Sequence, residues 1–435
     1  MRAALTQAEL IPVIRDIVHA QLQLASPARF GALRRSAVPI DTALRESDLD
    51  LDSLELIRVG NAIANFFNLH DAGVEDLLLT DTSVSGFARV VAAARNEGNP
   101  FQVDAVCDFT FASSGSTGKS SFWRHHESWL DQEVQYWRAK LAEQSTPVKR
   151  VVSCVPRCHV YGFIWTVLLP KALGIEVIEL FPEQLFPHKL SPGDLVIATP
   201  SVWTAWDSLS FRWPNGMLGI SSTAPLPASA AKSLLDAGLP IIEIYGSTEN
   251  AGIASRHSSQ PYFELMSHYE FEQTSKNQNL EINLIRHCPD QLSRRFNLLD
   301  EIRLKQDQNS NENLATTRGT VASKHFVITG RKDHVVQVNG YNVSTLWVSQ
   351  LINELDGVSE CVVRKMNADE GEHLKACLVL DGQAREAQVI KHVSDWCREN
   401  LPENSRPKHY QVAKQIPRNE MGKLADWSVE LALAS

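Results

Sequence analysis

Phe109-Thr-Phe-Ala-Ser-Ser-Gly-Ser-Thr-Gly-Lys119 sets an apolar, strand-like run directly before a loop of glycines and hydroxylated residues that closes on a lysine. Gly115 and Gly118 let a backbone approach an anion closely. Ser113, Ser114, Ser116 and Thr117 add hydroxyl donors, and Lys119 adds a positive charge. The loop suits the β- and γ-phosphates of a nucleotide. It lacks the Walker spacing, so a P-loop kinase reading fails. A flexible linker would share the composition, although Phe109 and Phe111 argue against one.

Downstream of this stretch, apolar runs alternate with helical patterns, which predicts an α/β layered domain. Val151–Val155, Val177–Leu180, Leu195–Thr199 and Ile241–Ile244 read as strands. Ile241-Ile-Glu-Ile-Tyr-Gly-Ser-Thr-Glu249 is a strand ending in a loop, and ligands of α/β sheets sit beyond strand carboxyl ends. Thr248 can donate to a phosphate, Glu249 can hold Mg²⁺ through oxygen, and Tyr245 can pack on a planar base. Asp300 and Arg331 are candidates for ribose hydroxyls, against the alternative of a surface salt bridge for each. After about Gly330 the chain restarts as a compact α+β unit. Val335–Val338, Cys361–Arg364 and Ala376–Leu380 read as its strands, and Leu346–Asn353 and Ala387–Asn400 as its helices.

Upstream, residues 1–95 read as a small helical module. Leu10, Val13, Ile14 and Ile17 recur at helical spacing, a second helix starts near Ser53, and a last one covers Val84–Ala94. Asn96-Glu-Gly-Asn-Pro100 reads as a linker, and no lysine precedes Lys119. The expected organisation is therefore multidomain. A four-helix all-α module spans 1–95, a large α/β layered subdomain 101–330, and a small α+β subdomain 331–435.

The 435 residues are 43% hydrophobic and 21% charged, a globular composition. A net charge of −9 gives no support to a nucleic-acid groove. No apolar run approaches the roughly 20 residues of a membrane span, and no apolar signal core precedes Glu9, so a cytoplasmic protein is expected. Seven scattered cysteines fit reduced thiols. Cys154, Cys158 and His159 lack the further ligands of a zinc site, and buried thiols are the better reading.

Taken together, the ordered motifs resemble the acyl/aryl adenylate-forming superfamily of acyl-CoA synthetases, aryl-CoA ligases and peptide-synthetase adenylation domains. The resemblance covers roughly residues 107–430. The Ser113–Lys119 loop matches the family's phosphate signature, and Tyr245–Glu249 its Tyr-Gly-x-Thr-Glu. Pro156-Arg-Cys-His-Val-Tyr-Gly162 resembles its aromatic/His motif, and Ser222-Thr-Ala-Pro-Leu-Pro227 the loop lining acid and adenine. The resemblance implies ATP and Mg²⁺ as cofactors. It also implies Gly246 beside the nucleotide, and Asp300 and Arg331 as ribose ligands. His159, Tyr161, Gly162, Ala224 and Pro225 fall at the acid, Asp333 at a hinge, and Lys423 at the reacting carboxylate and α-phosphate. Two positions depart from the pattern: Gln337 stands where relatives often have Lys, and Met421 where Asn is usual. The chain also has only about 10 residues between linker and loop, where the family has a long N-terminal part.

Leu49-Asp-Leu-Asp-Ser-Leu-Glu-Leu56 resembles the Asp-Ser-Leu site of acyl carrier proteins, which implies phosphopantetheine on Ser53. A plain helix cap is the alternative. The resulting functional expectation is ATP-dependent activation of a carboxylic acid and transfer to a thiol. The thiol would belong to a carrier protein, favoured because a carrier-like module is expected, or to coenzyme A. Tyr161, Phe163, Trp165 and Trp203 suggest an aromatic acid. The organisation resembles the hydroxybenzoate-activating ligases of aryl-polyene pigment pathways. A non-catalytic carrier or scaffold is the alternative, against which Lys423, Glu249, Thr248 and the loop speak.

Overall fold

The structure, a computed structural model, describes residues 4–96, 108–112, 121–180, 189–209, 211–276, 279–298, 300–305, 319–321, 323–331, 335–338, 341–367, 370–371, 373–382, 385–418, 424–425, 427 and 429. The Ser113–Lys119 loop, Asp333 and Lys423 lie outside them, as do the side chains of Arg331 and Gln337. The chain divides into two compact units. One is Met1–Gln260 with Met266–His268 and His287–Leu292; the other is Pro261–Leu265 with Tyr269–Arg286 and Ser293–Ser435.

The sheet-forming part of the first unit begins with β1 (Phe109–Ala112) and β2 (Phe122–His125), an antiparallel pair in which Ala112 faces Phe122. Then come β3 (Arg150–Ser153), β4 (Glu176–Glu179), β5 (Asp194–Ala198), β6 (Leu218–Ser221), β7 (Ile241–Ser247) and β8 (Ala251–His257). They lie in the order β4-β3-β5-β6-β7-β8, parallel except for β8. Every residue of β5 and β6 is buried. Strands covered on both faces read as continuous apolar runs, which makes them legible in the sequence.

The helices ahead of β1 form no free-standing module. Helix Gln7–Ala25 starts at a capping box between Thr6 and Glu9, and turns Leu10, Val13, Ile14, Ile17 and Leu22 inward. It packs on helices Ser53–Phe67 and Val84–Ala94. The helical segment also shares a core with β1 and the helix at Val160–Phe163. The Phe66 ring stands 5.1 Å from Phe111 and 5.6 Å from Phe163. Thr110 Oγ1 donates to Asn68 Oδ1 at 2.8 Å, Lys171 Nζ reaches Glu9 at 2.6 Å, and the Arg95 guanidinium lies 4.0 Å over Phe109. The break expected after residue 95 is therefore absent from the packing. The reason is that these helices bury apolar faces against β1 and its neighbours, not only against one another.

A group of buried charges makes the same connection. Asp16 accepts from the Arg157 amide at 2.7 Å and stands 3.5 Å from both Arg15 and Arg35. Glu179 pairs with Arg15 and, at 3.4 Å, with Arg35. Burial pushes the Asp16 carboxyl up against the pull of Arg35. Burial acts on Glu179 in the same sense, but Arg15, Arg35 and Arg157 outweigh it and hold that carboxyl low.

The second unit is richer in antiparallel strands than the sequence suggests. Its strands are β9 (Phe263–Leu265), β10 (Tyr269–Lys276), β11 (Asn279–His287), β12 (Ser293–Asn297), β13 (Asp300–Leu304), β14 (Gly319–Val321) and β15 (His325–Arg331). They form the runs β13-β15-β9 and β12-β11-β10-β14. The hairpin β16 (Val335–Val338) and β17 (Tyr341–Ser344) comes next, then β18 (Val358–Lys365), β19 (Leu374–Leu380) and β20 (Pro407–Val412) in one sheet. Helices Thr345–Asn353 and Glu386–Asn400 cover that sheet through Val348, Ile352, Val389 and Val393. The expected boundary at 330 is thus displaced: β15, paired with β13 and β9, falls in the same unit as the strands on either side of it in sequence, and the units part near Gln260.

Candidate active site

The carboxyl ends of β3, β6 and β7 emerge on one edge of the first unit's sheet, where ligands of parallel sheets bind. His159 follows β3, Ala224 and Pro225 follow β6, and Tyr245–Glu249 close β7. The fold therefore brings these sequence-predicted positions to a common edge.

The end of β7 is held from three sides. A register shift between Tyr245 and Gly246 re-aims the strand as it meets β8. Gly246 is required there, because a Cβ would fall 2.1 Å from the Ala251 carbonyl. Glu133, on helix Glu127–Ala142 and almost fully buried, accepts from the Gly252 amide at 2.9 Å. His125, at the end of β2 and fully buried, bonds through Nε2 to the Thr248 carbonyl at 2.7 Å. That bond links the two motifs that carry the phosphate reading. β1 and β2 flank the Ser113–Lys119 loop, and β2 is tied to Thr248 in the Tyr-Gly-Ser-Thr-Glu turn. Sequence reasoning missed both His125 and Glu133; one histidine after a glycine loop and one glutamate on a helix carry no local signature.

The loop after β6 is fixed from β7. The buried Glu243 carboxylate accepts from the Leu226 amide at 3.2 Å and from Arg256 Nε at 3.0 Å. Burial raises the Glu243 carboxyl more than Arg256 lowers it. Ser222 Oγ donates to the Ile244 carbonyl at 3.0 Å. Between them Thr223 holds φ at +83°, a region that strains a β-branched residue.

Several residues expected at the acid are buried in the core. The Tyr161 hydroxyl is shared between the Ala198 and Ile220 carbonyls, at 3.1 and 2.9 Å, and ties the ends of β5 and β6 together. Gly162 is a packing glycine, since its Cβ would come within 1.9 Å of the Pro156 carbonyl. Phe163, Trp165 and Trp203 are buried, with the Trp165 ring 4.7 Å from Trp137 and the Trp203 ring 5.3 Å from Trp206. Aromatic spacing in the sequence thus marked the interior.

In the second unit, Asp300 and Arg331 are direct partners across β13 and β15. The residues bracketing Lys423 are also anchored. Arg418 pairs with Leu424, whose carbonyl accepts from Arg364 at 3.0 Å. Lys375, fully buried, donates to Glu370 at 2.7 Å and to the Trp427 carbonyl.

The Asp-Ser-Leu motif resolves into a helix start. Asp52 accepts from the Glu55 amide at 2.8 Å, Glu55 accepts in return from the Asp52 amide at 3.0 Å, and Arg29 pairs with Glu55 at 3.0 Å. Ser53 is exposed beside this box, its Oγ accepting from Arg45. Cys154 and Cys158 are buried, and among the described residues no group of three His, Cys, Asp or Glu is placed to hold a metal. Among the same residues no helix is long and apolar enough to cross a membrane.

A family model described as the AMP-binding enzyme C-terminal domain matches residues 348–423. The chain is 30% identical over 422 residues to the 4-coumarate–CoA ligase of Halorhodospira halophila, covering 96% of this chain and 98% of that protein. It is 24% identical over 332 residues to the 3,4-dihydroxybenzoate–[aryl-carrier protein] ligase of Bacillus anthracis, covering 73% and 72%. Among solved structures, ATP-bound MatB from Rhodopseudomonas palustris shares the fold with a TM-score of 0.58 at 17% identity, covering 96% of this chain and 91% of that one.

Proposed function

The chain belongs to the adenylate-forming ligase family and is an ATP-dependent, AMP-forming acid–thiol ligase; from this we propose that it activates an aromatic carboxylic acid of the hydroxycinnamate class and passes it to coenzyme A. The observation that carries the nucleotide-site part of this reading is the His125–Thr248 bond, which joins the strand pair flanking the phosphate loop to the turn that ends β7.

In the first step a carboxylate oxygen attacks the α-phosphorus of ATP, the bond to the β-phosphate oxygen breaks, and acyl-AMP and pyrophosphate result. Positioning and charge stabilisation supply the catalysis, with no covalent protein intermediate. The Ser113–Lys119 loop holds the departing phosphates. Thr248 donates to the α-phosphate, Tyr245 packs on adenine beside Gly246, and Asp300 and Arg331 take the ribose. His159 orients the carboxylate along the loop of Ala224 and Pro225, and Lys423 bridges carboxylate and α-phosphate. Glu249, a half-buried carboxylate that follows Thr248 in the chain, is an oxygen donor suited to Mg²⁺. When bound, that ion neutralises phosphate charge. In the second step the thiol sulfur attacks the acyl carbonyl, loses its proton to solvent, and AMP leaves.

The 4-coumarate–CoA ligase relative supports both the acid class and coenzyme A. The preference for a carrier thiol draws on a separable helical module, and the core that Phe66 shares with Phe111 and Phe163 speaks against such a module. A separate carrier protein is the second reading, supported by the aryl-carrier ligase relative. Pyrophosphate exchange with hydroxycinnamates, hydroxybenzoates and fatty acids tests the first step. Exchange with none would end the reading, and exchange with fatty acids alone would end its aromatic part. Thioester formed with a holo-carrier protein and not with coenzyme A would move the acceptor to the second reading.

A further inference from the structure

Asp16 lies on the first helix, 141 residues from the loop it touches. Its carboxylate is almost fully buried, a costly place for a charge. It accepts from the Arg157 amide at 2.7 Å, and that amide leads within two residues to His159. Beyond it the chain is tightly wound: the Phe163 amide donates to the His159 carbonyl at 2.7 Å, and Gly162 abuts the Pro156 carbonyl. These contacts brace residues 156–163 against one another, and the Asp16 carboxylate holds that segment at its entrance. Arg15 and Arg35, each 3.5 Å from Asp16, hold the carboxylate in turn.

We infer that Asp16 is a positioning residue for acid binding: by holding the Arg157 amide it sets where His159 stands at the sheet edge. The inference rests on the reading of the His159 loop as the acid site. A carboxylate is the acceptor because a charged oxygen binds a backbone amide more strongly than a neutral one. The first helix is then part of the acid-binding apparatus.

The test uses the full chain with two variants. Asp16→Asn keeps the shape and weakens the acceptor. Asp16→Glu keeps the charge that Arg15 and Arg35 need and moves it by one methylene. For each folded variant the acid KM rises about tenfold, equivalent to ~1.4 kcal/mol, while the ATP KM stays within about twofold. Hydrogen–deuterium exchange of peptides covering 155–163 quickens in parallel. An unchanged acid KM in a folded variant overturns the inference, and so does an equal rise in both KM values, which is what a merely structural role produces. His159→Ala separates the two layers. If it leaves the acid KM unchanged, the loop is not the acid site and the functional assignment fails. If it raises the acid KM and the Asp16 variants do not, the inference alone fails.

Discussion

Replacing His125 by Phe removes the hydrogen bond to Thr248 and keeps a ring of similar size. The ring packs edge-on against Phe111 with centroids 5.6 Å apart, a contact that Phe reproduces. What goes is the 2.7 Å bond from Nε2 to the Thr248 carbonyl. Leaving a carbonyl facing an apolar ring costs about 1–3 kcal/mol. If Thr248 and the phosphate loop are held in register by that bond, about half of the cost appears as weaker ATP binding. That portion, about 0.5–1.5 kcal/mol, is a rise in ATP KM of about two- to tenfold. Pyrophosphate exchange at saturating acid and varied ATP measures it. The acid KM stays within about twofold, because the acid-facing loops follow β3 and β6. His125→Gln, which can still donate, recovers most of the loss. A folded His125→Phe enzyme with unchanged ATP KM refutes the link between hairpin and turn.

Other outcomes depend on single sites. Gly162→Ala places a Cβ 1.9 Å from the Pro156 carbonyl and costs more than about 2 kcal/mol, seen as lost soluble yield or a much lower Tm. Ser53→Ala leaves Tm and ligase activity unchanged, whereas Asp52→Ala costs about 1 kcal/mol through the lost cap; intact mass after a phosphopantetheinyl transferase does not change for the wild type. Glu370 is raised by burial, but hydrogen bonds from Lys375 and the Asn367 and Val429 amides outweigh this and hold it below 4.5. A carboxyl lowered by folding stabilises above its unfolded pKa and loses that contribution as pH falls through the folded value. The Tm advantage of wild type over Glu370→Gln is therefore constant above the usual glutamate pKa and shrinks as the pH falls below it. Burial pushes the Cys154 thiol up to about 12, so alkylation at pH 8 spares it in the native protein and labels it in urea.

Periodicity and motif order expose much of the fold. The strand at Ile241 and helix Val84–Ala94 are legible because a buried parallel strand and a one-faced helix each leave a pattern. Strands 263–331 are not, since half-exposed antiparallel ribbons such as Ser293–Asn297 carry few apolar residues. Domain limits are hidden for a different reason. The sequence shows that a helix has an apolar face, as at Phe66, but not that the face meets Phe111 and Phe163. In the site, Tyr245, Thr248 and Glu249 are readable from spacing within one turn. His125, Glu133 and Asp16 act across 123, 119 and 141 residues respectively, and no local pattern announces a partner so far away. Tyr161 shows the same from the other side: its type suits a ligand pocket, and nothing in its neighbours announces that its hydroxyl bonds to the Ala198 and Ile220 carbonyls.

The buried charges at Asp16 and Glu179 bear on how this enzyme can be dissected. Trimming the chain to a minimal catalytic fragment at the Asn96–Pro100 stretch would take away Asp16, Arg15 and Arg35 together. Glu179 would lose both of its arginine partners, and the faces that the helices now cover would open to water. The Phe66 ring would vanish from beside Phe111 as well. A protease nick in that stretch is tolerable so long as the pieces stay together. Supplying the helical piece separately should restore what deletion destroys, so fragment complementation, and not truncation, is the productive way to divide the molecule.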